Sequence, residues 1–461
     1  MNLAGTVCQI QNPVLSIYMQ AKKPNKMKEE FIHYIWKTKQ FNPVDLKTES
    51  GLSLKITYPG EHNHSSGPDF FNAQLVIDDI AWSGNVEIHT KSSDWLRHKH
   101  QHDEAYNNVI LHVVYESDLP VQSNYKQDLA TLVLRDRIDM KLYEKYLSLR
   151  ASKTKIACSA RLKDIPSIIK TSWLSRVVAE RLERKVMALK RELEQNKNDW
   201  EETFYRHLAR QFGMKVNAEP FQWLSACVPF RILRKQNDNL LQTEALLFGQ
   251  SGLLPEKFSD TYTNALIREY AHLQVKYSIR PMPAHWWKFM RLRPNNFPTI
   301  RIAQLAGLFV RQPQLFRTCI ELNDLAALKK IFATPASAYW NTHYRFGKVS
   351  LHSEKNFGAQ AIDTILINTI VPFKFLYGKV KSDEQLQQDA IALLEKIDPE
   401  NNKVIREWEE HGIDPASSAE SQGLLELTKN YCDKKKCLSC EIGNYLLTEK
   451  LDGNRFIRNN P

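Results

Sequence analysis

Asp69 and Glu87 are the two residues whose type and setting point most directly to chemistry. Asp69 follows a Gly67-Pro68 turn, and Glu87 lies in the run Gly84-Asn85-Val86-Glu87-Ile88-His89-Thr90-Lys91. Between them stand an apolar-alternating stretch, Ala73 to Ile77, and an acidic pair, Asp78-Asp79, that reads as a two-residue turn. Side chains repeat with period two on a strand, so Glu87, His89 and Lys91 are expected on one face. Asp69, at the mouth of the neighbouring strand, is then placed to meet Glu87 across the hairpin. Two carboxylates beside a His and a Lys suit magnesium or manganese, which take oxygen ligands and stabilise charge on a phosphate.

The elements needed to hold these residues occur in a usable order. Lys28 to Lys39 reads as a helix with Phe31, Tyr34, Ile35 and Trp36 apolar, and Leu52 to Tyr58 reads as a strand. After the two acid-bearing strands, His98 to Asn107 reads as a polar helix. Val109 to Tyr115 (VILHVVY) is then a near-continuous β run of the buried kind. This order resembles the PD-(D/E)XK nuclease superfamily, with Pro68-Asp69 standing for "PD" and Glu87 for "(D/E)". The resemblance implies Glu30 as the helical acid and His102 or Tyr106 as the polar residue of the second helix. It also implies a Lys that positions or activates the attacking water. The chain has His89 at that position, with Lys91 two residues further on the same face. A His can act as a general base because its pKa lies near neutrality. The N-terminal block is also similar to an uncharacterised bacterial domain-of-unknown-function family, a likeness that runs over most of the chain. The implied activity is divalent-metal-dependent phosphodiester hydrolysis. The rival is a nucleic-acid-binding or adaptor protein with a degenerate core.

Composition sets the bounds. The chain of 461 residues has room for two or three domains. Its 43% hydrophobic and 25% charged residues are ordinary for a globular protein. No apolar run approaches the roughly 18–20 residues that span a bilayer, and the N-terminus does not read as a signal peptide. The expectation is a cytoplasmic protein with no membrane partner. A net charge of +11 favours an anionic partner, nucleic acid and DNA first among them. No Walker or dinucleotide glycine motif occurs, which argues against an ATP-driven or Rossmann enzyme.

The expected organisation is an extension over 1–26, disordered or upstream of the true start, then an α/β domain over 27–150 of nuclease-like mixed sheet and helices. A large all-α region over 151–425 and a Cys-containing segment over 426–461 follow. Trp173 to Gln195 reads as one amphipathic helix exposing Arg176, Arg181, Arg184, Lys185, Lys190 and Arg191, and Asp199 reads as the N-cap of Trp200 to Phe212.

Three further patterns bear on binding. His98 and His102 are spaced as a ligand pair on one helical face, and with His89, His62 and His64 could hold zinc or manganese. Lys288, Arg291, Arg293 and Arg301, interleaved with Trp286 and Trp287, form an acid-free stretch suited to single-stranded or distorted nucleic acid. The bland alternative is a buried aromatic core with a solvated basic rim. Cys432, Cys437 and Cys440 form a C-x4-C-x2-C trio, with Cys158 as candidate fourth ligand for zinc or an iron–sulfur cluster. Some nucleases of the superfamily carry such a cluster on one early and three late cysteines, and this layout is similar.

Overall fold

Asp78 and Asp79 both take positive φ, 49° and 66°, the backbone of a two-residue hairpin turn matched to strand twist. They join β3 (Phe70–Ile77) antiparallel to β4 (Ile80–Lys91), with Ile77 opposite Ile80. β1 (Leu54–Tyr58) and the short β2 (Glu61–His62) both pair antiparallel with β3. On its other edge β4 runs parallel to β5 (Val109–Glu116), and β5 parallel to β6 (Thr131–Val133). The result is a six-stranded mixed sheet in the order β1-β3-β4-β5-β6. β3 alternates buried and exposed residues, whereas β4 is buried without a break from Asn85 to His89. That change of pattern marks where β4 becomes an interior strand with both faces covered. Helix α1 (Glu29–Thr38) packs on β4 and buries Phe31, Ile32, Ile35 and Trp36. A short α2 (Asp94–Arg97) and α3 (Met140–Ala151) complete this part, α3 starting from Asp139, whose side chain accepts the Lys141 N–H.

The computed structural model describes residues 26–256 and 259–449. The expected extension over 1–26 lies, but for Lys26, outside them. The chain divides into two compact units, the first running to Ser152 and resuming at Gly443, the second spanning Lys153–Ile442. The expected 426–461 segment is therefore split at Ile442. Its later part returns to the first unit, where Tyr34 Oη donates to Asn444 Oδ1 (2.6 Å) and Lys145 Nζ to the Leu447 carbonyl (3.0 Å).

The second unit is helical apart from a small hairpin, His343–Arg345 with Lys348–Val349. Short polar side chains set several of its helix starts. Asp199, Asn239, Asp260, Asp324 and Asp383 each accept a backbone N–H of the first turn, as N-caps do. The long α4 (Ser167–Gln195) begins earlier than its apolar pattern suggests. Its basic face is also less exposed than expected. Arg181 pairs with Glu426 (3.2 Å), and Lys185 is held by Asn368 Oδ1 and Gln422 Oε1, both at 2.9 Å. One helical run, 359–381, is long and apolar enough to cross a membrane by length and composition, and 67% of its apolar 18-residue window is buried inside the protein.

Candidate metal centre

Asp69 is aimed by its turn. Gly67 sits at φ +97°, and the Asn63 side-chain amide donates to the Ser66 and Pro68 carbonyls, each at 3.0 Å. The Asn63 N–H closes the loop on the Asp69 carbonyl (2.7 Å). Just beyond, the β3–β4 register slips between Phe70 and Ala73, with Asn72 at φ 56°. Such a bulge bends the strand and redirects a side chain. The two acids then lock onto each other's backbone. Glu87 Oε2 accepts the Asp69 N–H (3.1 Å), and Asp69 Oδ2 accepts the Ile88 N–H (2.9 Å). The expected meeting of Asp69 and Glu87 across adjacent strands is what the geometry holds.

Imidazoles surround this pair. His33, on α1, brings Nε2 to 3.2 Å from Asp69 Oδ2. His100 Nε2 lies 3.3 Å and His89 Nε2 3.6 Å from Glu87 Oε1. His89 Nε2 also faces His98 Nδ1 (3.0 Å), and its Nδ1 faces His112 Nε2 on β5 (2.9 Å). The ligand nitrogens of His89, His98 and His100 all fall within 4.8 Å of one another. Tyr106 stacks on the His100 ring at 3.8 Å. His62 stacks on Phe70 and stands edge-on to His33 and His64.

The backbone explains why His100, and not His102, joins. The expected helix over 98–107 does not form. α2 stops at Arg97, Lys99 takes φ 64°, and the chain continues as two 3₁₀ turns, His100–His102 and Glu104–Tyr106. That reversal carries His100 back over His89, where the rings stack at 5.3 Å. His102 is left exposed.

Burial and neighbouring charges push the pKa values of three of these imidazoles down. Burial, then the charges of His112, His100 and His98, press the His89 pKa down to about 2. His112 falls to about 3 from burial and His100, and His98 falls for the same two causes. Neutral imidazoles present lone pairs, as metal ligands must. Burial chiefly raises Glu87, opposed by His100. Burial also works against protonating His33, but Asp69, with Glu29 and Glu87 behind it, outweighs it and raises its pKa. Burial, then Glu87 and Asp69, lifts the Tyr106 hydroxyl to about 12.

A divalent cation fits these donors. His100 Nε2 is buried without a hydrogen-bond partner, although Glu87 Oε1 lies close by. A nitrogen turned that way toward a carboxylate suits a shared ion better than a direct bond. The set of carboxylate and imidazole matches manganese, zinc or iron(II) more closely than magnesium, which prefers oxygen alone.

Other expected site residues lie elsewhere. Glu30 is exposed and turns to Tyr146 and Arg150. Glu29, one residue earlier on the helix, is the acid whose charge meets His33 and Asp69. Lys91 leaves the cluster for Asp118 (3.6 Å) at the exposed end of β4. In the second unit Trp287 is 5% exposed and donates to the Ser251 carbonyl (2.8 Å). Arg301 is buried over the Phe357 ring, bonded to Gln304 and Asn296. Both are core residues and are closed to a nucleic acid. Lys288, Arg291 and Arg293 are exposed, and Trp286, 36% exposed, pairs with Trp223 at 4.4 Å. Sequence reasoning missed His33, His100 and His112. The i, i+4 spacing of His33 from Glu29 was the available signal for the first.

No curated protein and no solved structure matches the chain. A family described as "Protein of unknown function (DUF2851)" matches residues 29–403, a span that takes in every residue of the cluster just described. The chain belongs to that family.

Proposed function

We propose that the first unit is a divalent-metal-dependent phosphodiesterase with a PD-(D/E)XK-like core, acting on DNA or structured nucleic acid. The observation that carries this reading is the mutual backbone locking of Asp69 and Glu87 beside the cluster of His89, His98 and His100, of which His89 and His100 are buried. Glu87, His89, His98 and His100 would hold the ion, with Asp69 at its edge. A bound divalent ion polarises a phosphate oxygen and lowers the pKa of a coordinated water. The chain's own groups do the rest. His33, its proton favoured by Asp69, is a donor toward a phosphate or leaving oxygen. Tyr106, protonated at neutral pH, adds a second donor. The +11 charge supports an anionic substrate, and free thiols at Cys227 and Cys319 suit a reduced cytoplasmic setting.

A second reading, binding without cleavage, draws on one observation. The amine expected of the motif is missing, since Lys91 faces Asp118 and His89 is held between two imidazoles.

The test is cleavage of single-stranded, duplex and branched DNA and of RNA with manganese, zinc, iron(II) or magnesium. Asp69→Asn and Glu87→Gln should each lower cleavage by at least about 100-fold, in line with loss of a group that stabilises transition-state charge, while salt-sensitive binding persists. Wild-type protein that binds but never cleaves would favour the second reading. Absence of salt-sensitive binding would end both.

A further inference from the structure

The hydrolytic reading leaves one chemically distinctive cluster unused, the cysteines of the second unit. Cys432 closes a π turn, Thr428–Cys432, after which the chain reverses. Lys435 takes φ 51°, its N–H donates to the Cys432 carbonyl (3.0 Å), and the Lys436 N–H donates to Tyr431 (2.9 Å). Cys437 opens the 3₁₀ turn Cys437–Ser439, and its carbonyl accepts the Cys440 N–H (3.3 Å). These bonds fold C-x4-C-x2-C into a small knuckle. Cys158 reaches it from far away in sequence. It precedes the 3₁₀ segment Ser159–Asp164, anchored by buried Ile156 and Leu162. Lys435 Nζ crosses to the Thr154 carbonyl (3.0 Å) and ties that loop to the knuckle. Cys432 lies within electrostatic reach of Cys440, Cys158 and Cys437, and Cys158 within reach of Cys437.

We propose that Cys158, Cys432, Cys437 and Cys440 form a tetrathiolate metal centre, holding either one zinc ion or an iron–sulfur cluster, that pins the 154–164 loop to the knuckle. The packing alternative treats each Cys as a small apolar side chain, which is how Cys319 behaves, buried alone in the helical core. It does not account for a segment so distant in the chain bringing Cys158 within electrostatic reach of Cys432 and Cys437. Charge supports the metal. Four thiolates around zinc carry a net double negative charge, and Lys434, Lys435 and Lys436 lie within the knuckle to offset it. The inference is independent of the phosphodiesterase reading.

The experiment measures metal and labile sulfide in the purified wild-type full-length protein, prepared with and without oxygen, and follows metal release during titration with a mercurial. Mercurials displace thiolate-bound metal and spare metal held by imidazole and carboxylate, so the histidine site does not confuse the result. About one zinc per chain, released in step with four thiols, supports the proposal. So does iron with matching labile sulfide, and the two outcomes tell the centres apart. Cys432→Ser and Cys437→Ser should each lose the thiol-released metal. Cys158→Ser should weaken its retention at least about 10-fold, as loss of a ligand does. Wild-type protein with four reactive thiols and no mercurial-released metal would overturn the proposal. Undiminished metal retention in Cys158→Ser would overturn the four-member assignment.

Discussion

Both ring nitrogens of His89 face other imidazoles, and this decides what the residue can do. For Nε2 to present a lone pair to an ion, the proton must sit on Nδ1 and be donated to His112 Nε2. His112 then fixes the tautomer, as the outer partner of a ligating His does. His112→Ala should therefore weaken metal binding about 10–100-fold, measured by competition with a chelator of known affinity. Unchanged affinity would make His112 a packing residue. Elsewhere a single carboxyl couples stability to pH. Glu244 is buried in the second unit, its Oε2 accepting from Tyr262 Oη (2.9 Å), and burial raises its pKa from 4.5 to about 7. Its folded form thus holds a proton that the unfolded form has lost between those values. The stabilising contribution is fully present below about pH 4.5 and is lost as pH rises through 7, a difference on the order of 3 kcal/mol. Glu244→Gln should flatten that slope and melt higher than wild type above pH 7, and thermal melts across pH 5–8 would show it. Asp69 and Glu87 were legible in the sequence because a hairpin with period-two side chains leaves few alternatives. His100 was not, because its place depends on Lys99, a residue with no intrinsic preference for positive φ.

At the scale of elements, the run from Ala359 to Lys381 shows how a helix survives an internal proline. It widens to a π turn at Leu366–Ile370 and carries Pro372 just beyond. Pro372 has no N–H for the Asn368 carbonyl, and that carbonyl accepts instead from His207 Nε2 (3.1 Å). Lys185, on α4, meets Asn368 Oδ1 and lies 3.5 Å from the Ile367 carbonyl. The bulge and the partners that satisfy it form one feature. Lys185→Met should strand Asn368 Oδ1 and take the lysine from the Ile367 carbonyl, while Gln422 Oε1 keeps its bond from Arg181. It should cost about 1–3 kcal/mol, read from the midpoint of chemical denaturation at unchanged slope. A shift within error would mean that water satisfies those groups. Neither the π turn nor its distant donors have a local sequence signal. Pro229 is a clearer mark, since it separates the helix Ala218–Cys227 from the helix Phe230–Leu233.

At the scale of the whole molecule, the first unit is built from two stretches of chain separated by the entire second unit. Truncation after Ile442 removes Asn444 and Leu447, the partners of Tyr34 and Lys145. It should lower the unfolding temperature of the first unit while leaving the core of the second intact. Hydrogen exchange of β4 and β5 amides would report the loss, and unchanged protection would show that the tail is dispensable. The change from strands to helices near residue 150 was legible from composition and period. The return of the tail was not, because nothing local in Gly443–Glu449 says which unit it joins. That return has a consequence for biosynthesis. Ribosomes add about 5–20 residues per second and domains fold as units while the chain emerges. The β4–β5 sheet is therefore made tens of seconds before the segment that finishes its unit. Throughout that interval the nascent sheet and its histidine cluster exist as an unfinished intermediate, and chaperone dependence during translation should fall on this unit.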